Sequence, residues 1–165
     1  MLLLFLCLWS FIAFADIIIM NSQYRHTGNV QSRSVTNDMC QCLNDHCYSM
    51  LSYYDDSIIN LPLPIHDVVK SQSGIVLASN WSTLFKRGPQ VSLAAAEVLP
   101  DNVQWYTGTD AAGNAVGLNC HEWTMESKHA LGRVGNSHAT NYRWIDDEDV
   151  VCSSTLYLVC ACLSL

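Results

Sequence analysis

Three groups of residues in this sequence could do chemistry. Cys40, Cys42, His46 and Cys47 lie within eight positions, and His121 follows Cys120. Thiolate and imidazole are donor types that zinc takes, but zinc-finger spacing shows two separated ligand pairs and the downstream pair is missing. Trp144-Ile145-Asp146-Asp147-Glu148-Asp149 sets four carboxylates in a row. Hard oxygen donors in a run suit calcium, and the same composition suits a solvated acidic turn. The third group is nucleophilic: Cys47 beside His46, and His121-Glu122 among several serines. Neither a Gly-x-Ser-x-Gly elbow nor a recognised order of triad residues accompanies them. Adjacent residues of a chain seldom face each other productively, so Cys47 and His46 read as neighbours and not as a dyad. The chain is therefore read as a non-enzyme, with no catalytic residue, no metal site and no cofactor.

The first residues bear on what the cysteines do. Met1 to Phe14 is an apolar run with one serine, and it ends in Ala13-Phe14-Ala15 before Asp16. A small-x-small site after an apolar run reads as a signal peptide over residues 1–15, although no Lys or Arg precedes the run. The run falls short of the ~20 apolar residues that a membrane-spanning helix needs. The expected location is secreted and extracellular, where cysteines are disulfide candidates first. Of the eight cysteines, Cys7 leaves with the signal, and Cys40, Cys42, Cys47, Cys120, Cys152, Cys160 and Cys162 remain. That number is odd, so one is free or links to a second chain in a disulfide-linked dimer.

Half of the 165 residues are hydrophobic and 14% are charged, which is the composition of a globular domain with a core of its own. The net charge is -7, from eight Lys+Arg against fifteen Asp+Glu. Such a chain has no long-range attraction for phosphate or sulfate backbones, which excludes nucleic acid as a partner. The basic residues are scattered, and only Lys86-Arg87 are adjacent.

The elements that must position these residues are short. Asp16 to Asp38 is polar with no clear period and reads as a flexible arm, with Ile17-Ile18-Ile19 docking locally. Cys47, Met50, Leu51 and Tyr54 recur at helical spacing, which predicts a short amphipathic helix. Leu61-Pro62-Leu63-Pro64 breaks any helix. Ile75-Val76-Leu77 predicts a strand, and Asn80 to Phe85 a turn of helix packing Trp81, Leu84 and Phe85, ended by Gly88-Pro89. Val103 to Trp105 is a strand, Gly108 to Gly117 a loop, and Val150-Val151-Cys152 and Leu156 to Cys160 the closing strands. No collagen-type Gly-x-y repeat occurs.

Several of these pieces belong together. They are Asn80-Trp81-Ser82-Thr83-Leu84-Phe85; Trp105 with Gly108-Thr109-Asp110, then Gly113, then Cys120 with Trp123 three residues on; and Cys152 with Leu156-Tyr157-Leu158-Val159-Cys160. The set resembles endostatin, the C-terminal domain of certain basement-membrane collagens, and related secreted lectin-like domains. The resemblance covers roughly Ile75 to Cys160. It implies an α+β, C-type-lectin-like (endostatin-like) fold with disulfides over residues 39–165, behind the signal peptide at 1–15 and a flexible N-terminal arm at 16–38. Trp81, Trp105, Gly108, Asp110 and Trp123 are its core motif.

The resemblance also implies a Cys120–Cys152 bridge, and Cys160 paired with a cysteine near the start of the domain: Cys40, Cys42 or Cys47. The sequence departs from the family by carrying a cysteine cluster there and by adding Cys162. Cys40 and Cys42 bridged to Cys160 and Cys162 in some order would explain the paired spacing and leave Cys47 over. Such closures of over a hundred residues stabilise by at most ~5 kcal/mol. The acidic run resembles the Trp-Asn-Asp strand of true C-type lectins, with Ile145 in place of Asn and no Glu-Pro-Asn or Gln-Pro-Asp loop in the chain. The histidine-rich zinc stretch of endostatin has no match, and heparin binding does not suit so acidic a chain. What remains is recognition of an extracellular protein or glycan, with residues 108–119 and 137–149 as the first places to look, because irregular loops on a fixed core carry ligand surfaces. The alternatives are a secreted enzyme with a reactive Cys47 or a zinc centre, and a structural module that oligomerises through the odd cysteine. Asn80-Trp81-Ser82 is an N-glycosylation sequon. Tyr53, Tyr54, Tyr106 and Tyr142 could be packed or could form a recognition surface.

Overall fold

In the computed structural model, which describes residues 15–41 and 46–164, the chain is arranged around its last strand. The elements run β1 (Ile17–His26), α1 (Arg33–Gln41), β2 (Cys47–Ser49), β3 (Val69–Ser71), β4 (Val76–Ala78), α2 (Trp81–Arg87), β5 (Gln104–Tyr106), β6 (Leu131–Asn136), β7 (Glu148–Val151) and β8 (Leu156–Leu163). The result is mixed α+β and mostly sheet. The eight strands join in the order β4-β3-β1-β8-β5-β6-β7, with β2 pairing the far end of β8. β1 runs antiparallel to β8 from Ile17 opposite Leu163 to His26 opposite Leu156, and parallel to β3. β2 sets Cys47 opposite Cys162 and Ser49 opposite Cys160.

Side chains of a strand alternate between faces, and here each face feeds its own core. Val159 and Ala161 of β8 join Ile17, Ile19, Trp81, Trp105 and Trp144 in one cluster. Leu158, Cys160 and Cys162 join Leu51, Tyr106 and Trp123 in the other. α2 packs on the first face for local reasons. Asn80 caps it, its side-chain oxygen accepting from Thr83 N at 2.8 Å, and Gly88 ends it. Trp81, Leu84 and Phe85 fall at i, i+3 and i+4 and are buried together. On the second face lie the three disulfides found among the described residues, Cys40–Cys160, Cys47–Cys162 and Cys120–Cys152.

The structure corrects several expectations. Much of residues 16–38 is not a loose arm, because β1 lies inside the sheet between β3 and β8 and α1 follows it. Ile17 and Ile19 enter one core while Ile18 and Met20 pack against the other, so no alternation shows in the sequence. Arg33 at the start of α1 is tied down by Asp56 (2.6 Å) and by the Ser49 carbonyl (2.8 Å). The helix predicted through Cys47, Met50, Leu51 and Tyr54 is instead β2 and an extended continuation, in which Met50 N donates to Val159 O at 2.8 Å. Sheet pairing overrides the helical period there. Cys47 is not left over, since it bridges Cys162 directly across the β2–β8 pair. Cys42 and the signal-peptide run at 1–14 lie outside the described residues.

Three disulfides fit an oxidising environment. Among the described residues no helix is long and apolar enough to cross a membrane.

Gly28 seals the Cys120–Cys152 bridge. Its N donates to Cys152 O at 2.7 Å, and a Cβ there would meet Cys120 Sγ at 2.4 Å and Cys152 Cβ at 2.8 Å. Gly28→Ala is expected to lower unfolding free energy by about 1–3 kcal/mol, the usual cost of overpacking. Denaturant titration checks this, and an unchanged midpoint would contradict the packing. A peptide map of the unreduced protein should return the three linkages named above.

Candidate functional site

Among the described residues the most unusual backbone begins at Cys120. Cys120, His121, Glu122 and Trp123 have φ of 52°, 54°, 57° and 58°, and none is glycine. Left-handed helical conformation costs about 1–2 kcal/mol per residue with a Cβ. The segment is a genuine left-handed turn: Trp123 N donates to Asn119 O at 2.7 Å and Thr124 N to Cys120 O at 3.2 Å.

Its surroundings hold it on every side. The Cys120 sulfur is bridged to Cys152 on the chain leading into β8. The Trp123 side chain is fully buried, its indole N–H donates to Ser52 O at 2.8 Å, and its ring meets Tyr106 edge-on at 5.4 Å. Gly108, at φ 63°, lets the loop approach this indole, because a Cβ there would lie 2.7 Å from the ring. Gln31 N donates to Trp123 O at 2.7 Å. Asn119, 4% exposed, accepts from Glu122 N at 3.1 Å and donates to the Glu122 carboxylate at 2.6 Å. The two carboxylate oxygens also accept from Tyr54 N, at 2.9 and 3.0 Å.

This turn borders a groove of about 430 Å³, lined among others by Tyr54, Asn119, His121, Glu122, His129 and Leu131. Tyr54 is 83% exposed and Leu131 42%. The two imidazoles stand at the surface. The groove therefore offers one aromatic face, apolar side chains and two imidazole rings that can donate and accept hydrogen bonds. Its one carboxylate is already engaged.

Other predicted residues have structural roles. Cys40 and Cys47 carry disulfides, so neither sulfur is a zinc-binding thiolate or a nucleophile in this form. The acidic run is taken up by cations: Asp146 and Asp149 both bond Arg133, and Asp147 bonds Arg143. The hydrogen bond that Arg133 donates to Asp149 does most to raise the guanidinium pKa above its ordinary value. Glu148 accepts from Gln104. Asp110 shapes its loop by accepting from Ala112 N and Asn114 N, both at 2.9 Å, and Asp146 ties that loop down through Ala111 N at 3.0 Å. Trp81 and Trp105 are fully buried, and Asn80 is a half-buried helix cap.

The four tyrosines divide. Tyr53 and Tyr106 are core, and burial pushes the Tyr106 phenol up to about 12. Tyr54 and Tyr142 are surface. Sequence reasoning reached Asn119 and Tyr54 but missed His129 and the Glu122–Tyr54 link. Cys-His-Glu-Trp carries no left-handed signal.

No known family model matches the chain, and no curated protein sequence is significantly similar to it.

The left-handed turn makes an ordering prediction at His121, whose side chain is exposed. In an ordinary helix Gly is worse than Ala by about 1 kcal/mol. At φ 54° the order should reverse, with His121→Gly at least as stable as His121→Ala because only glycine escapes the Cβ penalty. Paired denaturant titrations measure it, and Ala above Gly would argue against the turn.

Proposed function

We propose that this chain is a secreted, non-enzymatic recognition module of C-type-lectin-like, endostatin-related fold, binding a protein or glycan at a cell surface or in the extracellular matrix. The observation that carries the reading is the left-handed turn beside the groove: four consecutive strained residues held by a disulfide and a buried tryptophan. Strain of this kind persists where surroundings over-determine it, and it concentrates at ligand sites. The Cys120–Cys152 pairing, the loop through Gly108 and Asp110 and the buried tryptophans are consistent with the lectin-like frame. Three disulfides and the apolar N-terminal run favour secretion.

Binding suits the groove better than catalysis. Its lining includes no serine, threonine or cysteine, and Glu122 is spent on Tyr54 N and Asn119. Asn80 is the proposed glycosylation site. Its Oδ1 is the helix cap, and Nδ2, the atom that would carry the glycan, has no partner among the described residues.

A second reading rests on cysteine arithmetic. Six of the seven cysteines after Cys7 are bridged, which leaves Cys42 to link a second chain. A dimer on a non-reducing gel that disappears in Cys42→Ser would support it.

The main reading is tested by labelling the secreted chain and measuring its binding to cultured cells, deposited matrix and a glycan array. Tyr54→Ala removes an 83% exposed ring and should change stability by less than about 0.5 kcal/mol. It should weaken binding about tenfold or more, as loss of an aromatic anchor does. Equal binding by parent and variant, or none by the parent to any of these surfaces, would overturn the reading.

A further inference from the structure

The far end of β6 carries a second groove, of about 330 Å³, whose chemistry differs from the first. We propose that it is a calcium-independent binding site for a neutral saccharide. Its lining is Asn102, Asn136, His138, Thr140, Asn141 and Arg143, with Ala139 as the one apolar member. Leu131 borders the first groove and Asn136 the second, so the two stand roughly 16 Å apart along the strand.

One buried carboxylate sets this groove. The Asp147 side chain is 3% exposed. It takes the Nε of Arg143 and accepts from Asn136 Nδ2 at 3.2 Å, while its backbone N donates to Val134 O at 2.8 Å. A buried carboxylate that loses its partners is strongly destabilising, so that penalty holds Arg143 and Asn136 in place. The amide oxygens are also committed. Asn136 Oδ1 accepts from His138 N at 2.9 Å and Asn141 Oδ1 from Arg143 N at 3.1 Å. His138 Nδ1 pairs with Asp101 at 2.8 Å.

What stays unbonded among the described residues therefore points to the ligand. It comprises both terminal amino groups of Arg143, Nδ2 of Asn141, Nε2 of His138, the Thr140 hydroxyl and the Asn102 amide. These are fixed donors with a few groups that both donate and accept, spread across a shallow polar surface. Adjacent hydroxyls of a sugar ring, each donor and acceptor, match such an array. The cation is balanced on the spot: Asp147 offsets Arg143, and the Asp101 carboxylate adds negative charge beside His138. An anionic sugar would gain no net attraction and would approach a chain of charge -7. No carboxylate lines the groove, and the amide oxygens of Asn136 and Asn141 already accept backbone N–H groups, so it lacks the charged oxygen ligands that hold calcium. This site stands apart from the groove at the left-handed turn and does not require that groove to bind anything.

The test is an NMR titration of the ¹⁵N-labelled full chain with glucose, galactose, mannose, fucose and N-acetylglucosamine, each with and without EDTA, and with glucuronate for comparison. At least one neutral sugar should shift the side-chain amides of Asn102 and Asn141 in a saturable way, equally in EDTA. Asn141→Ser keeps an oxygen for the turn cap, and Asn102→Gly suits its φ of 53°. Each should weaken binding on the order of tenfold, the effect of losing a good hydrogen bond, while Tyr54→Ala titrates like the parent. If Asn141→Ser does not fold, Asn102→Gly and Thr140→Val decide the matter. Overturning results are no shift with any sugar, loss of binding in EDTA, tighter binding of glucuronate, or full affinity in the folded variants.

Discussion

Burying β8 on both faces removes water from its backbone, so the protein must supply the hydrogen bonds itself. β1 runs along one edge of β8, while β5 and β2 divide the other. That requirement draws Ile17–His26 into the sheet and holds the chain after Cys47 extended, with Met50 N continuing the pairing onto Val159. It also explains where the disulfides go. Cys160 and Cys162 share one face, and residues reaching them from α1 and β2 can bridge there without disturbing the tryptophan-rich core behind the sheet.

The left-handed turn depends on the same face. Four residues at about 1–2 kcal/mol each would consume much of the roughly 5–15 kcal/mol that holds a domain of ordinary stability. Full burial of Trp123 returns up to about 3 kcal/mol, and closing the loop of 32 residues between Cys120 and Cys152 contributes about 4 kcal/mol in the chain-entropy picture. The two together are comparable to the strain. The bonds from Asn119, Ser52, Gln31 and Tyr54 then select this geometry over a relaxed one.

Elements with punctuation were legible in the sequence. α2 has its cap at Asn80 and its stop at Gly88, β4, β5 and β8 follow apolar runs, and β7 was legible only at Val150-Val151, because its first two residues, Glu148 and Asp149, belong to the acidic run. β1 was not legible, because a strand feeding two cores reads as Ile-Ile-Ile-Met with no alternation. The segment after Cys47 was misread, because its apolar residues fit a helical period by accident of a strand followed by an irregular turn. Pairing of the clustered cysteines was beyond spacing arguments. Which of Cys40, Cys42 and Cys47 faces β8 depends on the α1–β2 packing, which the cysteine pattern does not encode. The turn at Cys120 was invisible for a related reason: its conformation is imposed by Trp123 and the bridge and is not favoured by its own residues. Both grooves inherit that opacity. Asn102, His129 and Asn136 are unremarkable as letters and acquire meaning only from the strand ends that gather them.

The acidic run shows how composition can mislead about function. Read as a string, Asp146-Asp147-Glu148-Asp149 is a cation site or a solvated turn. In the fold these residues bind Arg133, Arg143 and Gln104, and through them they fix both loops around the sheet edge. Asp146 reaches Arg133 on one side and Ala111 N on the other, which joins β6 to the loop that carries Gly108. Asp147 reaches Arg143 and Asn136, which joins the turn after β6 to its last residue. Asp146, Asp147 and Asp149 lose much of their long-range field, because each sits against an arginine within bonding distance, whereas Glu148 meets only the neutral amide of Gln104. The run itself acts as a brace that ties the loop edges to the sheet.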